Sequence, residues 1–414
     1  MTKQENPYFV GLTTSNTPWM DITVKPVCTR RDLRKFIHLP AKVHKHHKNW
    51  IPPLYSDEWE FFSAKKNKSF EYSDVILLLA FRGKQVVGRI MGIINRRYNE
   101  LHSEKHARFN FLEAWDDRDV IELLINQVEQ WARIKGMVKL VGPLAFSDKD
   151  PQGFLIEGYN EPVAIATHCN FKYMIGHLEA LGFQKDIDLV VYKIRVPEST
   201  PELYRKVAER AVRNNPGIRL VEFTRRKDLK PWIRPIFTLV NETFTKIYGF
   251  MPFTLEEMDD FANRYLLIMD PRLIKVVLNE RKETVAFIIG MPDISKGIKK
   301  SRGYILPIGI LHILVAGRRS KQLNLLMGAI HPEYQNRGLD TIMGSAMLDS
   351  ARKQGLQFID SHLEMESNSK VRAEMEYMGG KVYKTYRVFG KSIKKTSHKA
   401  AVGGEMQLAD IECG

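Results

Sequence analysis

The sequence predicts an α/β fold of the α+β kind, with two tandem domains of the same plan. Each domain is expected to be a mixed, mostly antiparallel sheet flanked by helices. The 414 residues suffice for two or three domains. The segment 327–389 alternates strand, glycine turn, helix, strand, helix and strand, and the first half of the chain repeats this order. The duplication rests on the order of elements, because direct repetition of sequence is weak.

Domain boundaries follow from local composition. The segment 196–201 contains two prolines and a Ser-Thr pair, which is typical of a linker. The sequence therefore predicts an irregular N-terminus at 1–20, a first domain at 21–198, a second domain at 199–391 and a flexible tail at 392–414.

In the first half, the helical spacing of Val120, Leu124 and Val128 predicts an amphipathic helix, and Gly83-Lys84 supplies a hairpin turn. Strands are expected near 24–30, 75–82, 86–95, 108–113, 138–141 and 189–194, and helices near 31–44, 118–135 and 170–181.

In the second half, Asn368 opens a helix and Gly379-Gly380 ends it. Strands are expected near 218–223, 273–278, 284–291, 323–330, 358–366 and 381–389, and helices near 202–214, 229–245, 255–265 and 341–353.

Composition narrows the class of protein. Hydrophobic residues make up 44% and charged residues 27%, as in ordinary globular proteins. No run approaches 18 apolar residues, and the first residues lack an apolar signal core, so a cytoplasmic protein is expected. The net charge of +15 indicates either a solvated basic surface or a peripheral position on the inner face of an anionic cytoplasmic membrane. No nucleic-acid-binding motif accompanies the charge.

The run 305–317 contains His312 as its only ionisable residue and is bracketed by lysines and arginines. Pro307 and Gly309 argue against one long helix, and a buried strand pair with basic turns is the favoured interpretation. The alternative is a segment that touches the bilayer or lines an acyl tunnel.

The histidine-rich segment 44–48, His-Lys-His-His-Lys, matches no standard zinc spacing. It is interpreted as a basic surface segment, and no metal site is expected.

A turn at Gln335–Asp340 joins the strand ending at Ile330 to the next helix. Backbone N–H groups at a helix start are unpaired and can bind an anion, and Gly338 lets a phosphate approach the backbone. The carboxylate of Asp340 is a good N-cap but repels a pyrophosphate. The residues expected to bind a phosphate-bearing cofactor are Ala329, Ile330, Gln335, Asn336, Arg337, Gly338, Leu339, Asp340 and Asn368.

This arrangement resembles the GNAT superfamily of acyltransferases, whose phosphate loop is Gln/Arg-x-x-Gly-x-Gly/Ala. Gln335 and Gly338 match the loop, whereas Asp340 stands where that superfamily usually has Gly or Ala.

The likeness extends to a bacterial family of double GNAT-like proteins that includes the bacterial ceramide synthases, over roughly residues 24–391. Motifs that carry it include Trp50-Ile51-Pro52-Pro53-Leu54, Val87-Gly88-Arg89-Ile90, Gly142-Pro143, Glu157-Gly158-Tyr159, Leu181-Gly182-Phe183, the turn 334–340, Glu366-Ser367-Asn368 and Gly379-Gly380-Lys381. The resemblance implies transfer of a fatty acyl group from an acyl-CoA or acyl carrier protein thioester to the amine of a sphingoid base. In that family Asp340 is usual, which suits an acyl carrier protein as donor.

The two halves differ at the phosphate turn. The matching loop of the first half, 114–119, carries three acids and one base, which oppose a pyrophosphate. Donor binding is therefore expected in the second half, and the first half is expected to be a degenerate partner that shapes the acceptor pocket.

Amide formation from a thioester needs a base for the amine. On a continuous strand 358–366, His362, Glu364 and Glu366 would share one face. Glu366 is the favoured base and Glu364 the second choice. The alternative is that these acids lie at a strand end in solvent or in ion pairs.

The general acid is harder to assign, because Met375 occupies the position where GNAT enzymes often have a tyrosine. Tyr383 and Tyr386, on the last strand, are the candidates, although either could be a packed aromatic. Asn368 is expected to cap its helix or to contact the pantetheine arm. Rival functions are a non-catalytic acyl- or lipid-binding protein and an acetyltransferase acting on a small amine or peptide.

Overall fold

A computed structural model describes residues 22–164, 167–266 and 268–394. The predicted irregular segment 1–20 and nearly all of the predicted tail at 392–414 lie outside the described residues.

The strands are β1 Ile22–Pro26, β2 Ser73–Arg82, β3 Gln85–Asn95, β4 His106–Ala114, β5 Lys139–Gly142, β6 Phe154–Glu157, β7 Gln184–Arg195, β8 Arg219–Glu222, β9 Ile274–Leu278, β10 Thr284–Pro292, β11 Gln322–Ile330, β12 Phe358–Asp360, β13 Glu364–Met365 and β14 Lys381–Ser392. The α-helices are α1 Arg30–Val43, α2 Tyr55–Phe61, α3 Arg96–His102, α4 Arg118–Ile134, α5 Tyr173–Ala180, α6 Glu202–Asn214, α7 Ile233–Thr243, α8 Leu255–Leu266, α9 Ser295–Lys300, α10 Gly309–Arg319, α11 Leu339–Lys353 and α12 Ser369–Tyr377.

The chain divides into two compact units that exchange segments. The first unit contains the described residues of 22–156, 168–187 and 387–394, and the second those of 157–167 and 188–386. Strands β6, β7 and β14 therefore have residues in both units. The linker-like composition of 196–201 predicted contiguous domains at 21–198 and 199–391, and it gave no indication of this exchange.

In the first unit, β1 to β4 pair as successive antiparallel neighbours, and β4 pairs with β5 in parallel. The end of β14 adds an antiparallel strand beside β5, with Phe389 opposite Gly142. The predicted apolar stripe of α4 is buried in the core of this unit, including Val120, Leu124 and Val128. Each such side chain contributes roughly 1.5–3 kcal/mol of stabilisation when it leaves water.

In the second unit, β12, β11, β10, β9 and β8 lie side by side, and β7 lies on the other side of β12. The β11–β12 pair is parallel, and the others are antiparallel. Its core includes Tyr192, Ile194, Leu323, Leu348 and Ile359.

The segment 305–317 is not the buried strand pair that the sequence favoured. Residues 309–319 form helix α10, and the preceding loop contains Leu306, which is 79% exposed. Gly309 begins this helix rather than interrupting it. Among the described residues, no helix combines the length and apolar character needed to cross a bilayer.

Candidate active site

The candidate site lies where strands β11 and β12 separate. They pair at three positions only, from Gln322 opposite Phe358 to Asn324 opposite Asp360. Beyond these positions, among the described pairings, the rest of β11 pairs only with β10. Backbone polar groups along 325–330 therefore form an open strand edge that is available to hydrogen-bond an extended ligand.

After β12 the chain diverges from β11, because hydrogen bonds hold the residues that follow β12 to β7. His362 has a φ of 60°, and its N–H donates to the Asp360 carboxylate at 2.8 Å. The Ser361 hydroxyl accepts from the Tyr192 N–H at 2.9 Å and donates to the His362 carbonyl at 2.9 Å. Strand β13 then pairs with β7.

The single strand predicted at 358–366 is consequently wrong. Side chains alternate between faces only along a continuous extended chain, and the left-handed backbone at His362 ends that alternation. Glu364 and Glu366 must therefore be judged by their individual contacts.

Glu364 belongs to a cluster of carboxyl groups. Its side chain is half-buried, and burial raises its pKa to about 8, with a further contribution from Glu374. Burial likewise raises the pKa of Glu374, on α12, to about 7, with a contribution from Asp340 at the start of α11. Carboxyl groups with raised pKa values near neutrality are suited to proton transfer.

Glu366 has different surroundings. Its Oε1 accepts a hydrogen bond from the Asp188 N–H at 3.3 Å, and its own N–H donates to the Asp188 carbonyl at 3.0 Å. Its carbonyl accepts from Arg372 at 3.0 Å. These contacts tie Glu366 to β7 and α12.

The two tyrosines proposed as acids also differ. The Tyr383 hydroxyl donates to the Asp360 carboxylate, and the Lys193 ammonium lies 5.1 Å from the centre of its ring. Burial raises the pKa of Tyr383, and Asp360 raises it further. Tyr386 is fully buried.

The predicted phosphate turn has two left-handed residues, Asn336 with a φ of 59° and Gly338 with a φ of 79°. Gly338 is the N-cap of α11, and no side chain caps this helix start. The interpretation of Asp340 as an N-cap is therefore wrong, because Asp340 is the second residue of the helix itself. The Gln335 side chain donates to the Ile330 carbonyl at 3.3 Å and so shapes the turn.

Both the left-handed backbone and the close packing at position 338 require a glycine there. A Cβ built there would lie 2.6 Å from the Cβ of Ala211 on α6. A cavity of about 500 Å³ adjoins the turn and is lined by Val207, Arg210, Ala211, Asn214, Asn215, Asn336, Arg337 and Gly338. Its ionisable residues are both arginines, which favours an anion. A larger cleft of about 1240 Å³ is lined by as many glutamates as lysines and arginines together.

The remaining predicted residues lie around these features. Ala329 and Ile330 are on β11, opposite Phe287 and Ala286 of β10. The Arg337 guanidinium lies 4.9 Å from the ring centre of Tyr334. The Asn368 side chain accepts from the Val371 N–H at 3.4 Å and caps α12, and Met375 packs against the core.

In the matching loop of the first unit, 114–119, a carboxylate of the loop itself caps the helix that follows. Asp117 caps α4 by accepting from the Val120 N–H at 3.2 Å, and it also accepts from the Arg82 guanidinium at 2.8 Å. Helix α4, which follows the matching loop of the first unit, therefore has a capped start, in contrast to the start of α11 at Gly338.

Sequence reasoning missed Glu374 and Tyr204. The Tyr204 hydroxyl is buried without a hydrogen-bond partner among the described residues, and both Glu374 and Asp340 help to raise its pKa after burial, the main cause. A Cβ on Gly344 would lie 2.1 Å from the Tyr204 hydroxyl oxygen. A glycine inside an apolar helix was the available signal of this close approach.

The fold is that of tandem GNAT proteins. A tandem GNAT protein from the clavulanic acid biosynthesis pathway superimposes with a TM-score of 0.54 at 12% identity, covering 91% of this chain and 100% of that one. This likeness establishes the fold.

Two curated proteins are similar along nearly their whole length, in line with the resemblance found in the sequence motifs. "Bacterial ceramide synthase" of Caulobacter vibrioides is 27% identical over 382 residues, which are 90% of this chain and 98% of that protein. "Protein YghO" of Escherichia coli K12 is 26% identical over 378 residues, which are 89% of this chain and 95% of that protein. No protein-family model matches the sequence.

Proposed function

We propose that this protein is an N-acyltransferase that moves a fatty acyl group from a thioester donor to the amine of a sphingoid base. The observation that carries the proposal is the open edge of β11, together with two glutamates, Glu364 and Glu374, whose pKa values are raised to about 8 and about 7. The similarity to the Caulobacter ceramide synthase supports the choice of fatty acyl group and acceptor.

In this mechanism Glu364 is the base, directly or through a water, in preference to Glu366. The carboxylate removes a proton from the ammonium group, and the amine nitrogen then attacks the thioester carbonyl carbon. The new C–N bond gives a tetrahedral oxyanion, which collapses as the C–S bond breaks and its electron pair leaves on sulfur. The second proton of the nitrogen then passes to the departing thiolate. Backbone N–H groups of the open edge would hold the oxyanion.

The acidity of the thiol leaving group explains why the reaction does not require a tyrosine at position 375, where this chain has methionine. A thiol has a pKa of about 8.5, so its thiolate leaves with little help from an acid. Tyr383, whose proton is directed to Asp360, would assist only modestly as proton donor.

The donor's phosphate would bind at the turn 335–340, beside Arg210 and Arg337. Helix α6 next to this turn exposes Leu203, Lys206 and Val207 as well as Arg210. A basic helix with exposed apolar side chains suits an acidic acyl carrier protein better than a nucleotide alone.

Reversing one charge beside the turn tests the donor site. We expect Arg210→Glu to raise KM for the acyl donor about tenfold, equal to about 1.4 kcal/mol, with little change in kcat. Arg213→Glu is the matched control, because Arg213 is exposed on the same helix but does not line the cavity. Equal KM values for both variants would exclude Arg210 from donor binding. A larger effect with a carrier-protein thioester than with acyl-CoA would identify the carrier as the preferred donor.

The acceptor is a membrane lipid precursor in this proposal, and the loop before α10, together with the first turn of that helix, offers a surface for the bilayer. Leu306, Ile308 and Leu311 are 79%, 57% and 57% exposed. Exposed basic side chains flank them: Lys296, Lys299, Lys300, Arg302, Arg318 and Arg319. An apolar patch bordered by cations is typical of proteins that bind anionic membranes.

Vesicle sedimentation tests this surface. We expect the protein to bind phosphatidylglycerol vesicles more tightly than phosphatidylcholine vesicles, and Leu306→Glu with Leu311→Glu to weaken binding at least about tenfold. Leu101→Glu, which changes a leucine 60% exposed on α3, is the control and should bind normally. If Leu101→Glu weakened vesicle binding as much as the double variant, or if neither variant weakened it, a role for this surface would be contradicted.

The function itself is tested by mass spectrometry of an incubation with sphinganine and palmitoyl thioester, on CoA and on acyl carrier protein. The amide product is expected with the palmitoyl donor. A preference for acetyl over palmitoyl donors would select an acetyltransferase. Binding of the donor without product from either chain length would select a non-catalytic acyl-binding protein.

A further inference from the structure

A second cluster of reactive side chains lies in the first unit, away from the carboxyl cluster in sequence and in fold unit. It joins His44 and His47, which follow α1, to Cys169, which precedes α5. The Nδ1 atoms of the two histidines are 2.9 Å apart, and the Cys169 Sγ lies 3.6 Å from the His47 Nδ1. One ligand atom from each residue lies within 4.8 Å of the other two.

The sequence alone did not indicate this cluster. The segment 44–48 matches no zinc spacing by itself, and the third ligand lies more than a hundred positions further along the chain. The interpretation of this segment as a basic surface is wrong for His44, which is only 1% exposed. His46, in contrast, is exposed and lies outside the cluster.

The spacing of these atoms is that of metal ligands. Around a tetrahedral zinc ion, two nitrogens lie about 3.3 Å apart, and a nitrogen lies about 3.6 Å from a thiolate sulfur. The distance from Cys169 to His47 equals this value, and the two histidines need to separate by only a few tenths of an ångström. The Cys169 sulfur is also 3.9 Å from the His47 Nε2. It therefore lies almost as close to one ring nitrogen as to the other, which is poor geometry for a direct thiol–imidazole hydrogen bond.

The surroundings orient the first histidine as a ligand. Its Nε2 lies 3.0 Å from the carboxylate of Glu113, so that Nε2–H donates to Glu113 and Nδ1 is left to bind an ion. The His44 ring is also stacked parallel to Trp50 and Phe171, at 5.5 Å and 4.9 Å between centres. A carboxylate behind a histidine is the usual outer partner of a zinc-bound imidazole.

We propose that His44, His47 and Cys169 bind a zinc-class divalent cation with a fourth position open to water. Two imidazoles and one thiolate are the ligand types that select zinc over magnesium or calcium. Binding displaces the thiol proton of Cys169 to solvent, and the ion joins the end of α1 to the segment before α5. This site is independent of the proposed acyl transfer.

Metal analysis of the purified full-length protein tests the site. After equilibration with zinc and desalting, we expect about one zinc ion per chain in the wild type. Cys169→Ser and His47→Ala should lose it, and His46→Ala, the neighbouring control, should retain it. A chelator should lower the Tm of the wild type and of His46→Ala only.

Cobalt titration of the wild-type protein keeps the proposal testable even if a variant fails to fold. A tetrahedral cobalt–thiolate site gives visible d–d bands and a near-ultraviolet charge-transfer band, and zinc should abolish both. The absence of these bands, together with alkylation of Cys169 at one rate with and without zinc, would overturn the proposal. That result would leave Glu113, His44 and His47 as a hydrogen-bonded chain, with Cys169 packed beside His47.

Discussion

Glu364→Gln is expected to lower kcat at least about 100-fold, because an amide side chain cannot remove the proton that the acceptor's ammonium group must lose before its nitrogen attacks. The substitution keeps the size of a half-buried side chain, so the fold and the donor KM should change little. The measurement is steady-state amide formation at several pH values.

The pH dependence gives this prediction a second readout. A base acts when it is deprotonated, and the raised pKa of about 8 for Glu364 means that the carboxylate form increases as pH rises towards 8. Wild-type kcat should therefore rise with pH, by about tenfold per unit on its acidic limb, and level off above about pH 8. Because Glu374 has a pKa of about 7 and contributes to that of Glu364, the observed values belong to the pair.

Glu366→Gln is the matched control, since it removes the neighbouring carboxylate while its backbone contacts to Asp188 remain. We expect it to retain kcat within about threefold and to keep the wild-type pH profile. If Glu364→Gln remained fully active while Glu366→Gln lost activity, the base assignment would be reversed.

Asp360→Ala is expected to destabilise the second unit by about 3 kcal/mol. The carboxylate is buried and accepts from both the His362 N–H and the Tyr383 hydroxyl, and each orphaned group costs about 1–3 kcal/mol. Urea unfolding measures the loss. Asp349→Ala, which removes an exposed acid paired with Arg352 on α11, should cost less than about 1 kcal/mol.

The same substitution also tests the origin of the strand separation. Without Asp360 the left-handed backbone at His362 loses the hydrogen bond that holds it, and β12 is expected to lose its abrupt end. Kinetics at a temperature where the variant is fully folded should then give a raised donor KM. Unchanged stability and unchanged KM would mean that other contacts fix the separation.

Local signals predicted most of the elements because they depend on neighbouring residues. Gly83-Lys84 forms the β2–β3 turn, Asn368 caps α12, and the apolar spacing along α4 faces a core. The GNAT likeness of the motif order correctly gave the tandem fold.

What the sequence could not predict depends on distant partners. The break at His362 is held by Ser361 and by the Tyr192 N–H from another strand. The raised pKa values of Glu364 and Glu374 depend on burial, which spacing along a strand does not reveal. Cys169 reaches the histidines only through the tertiary fold.

The exchange of segments has a consequence for biosynthesis. The end of β14, from residue 387, pairs with β5 in the first unit, yet a ribosome makes it after every residue of the second unit. The nascent first unit therefore cannot complete its sheet while the second emerges, unlike a protein whose domains mature one after another. A frameshift or nonsense codon shortly before residue 387 would thus damage the half of the molecule encoded at the opposite end of the gene.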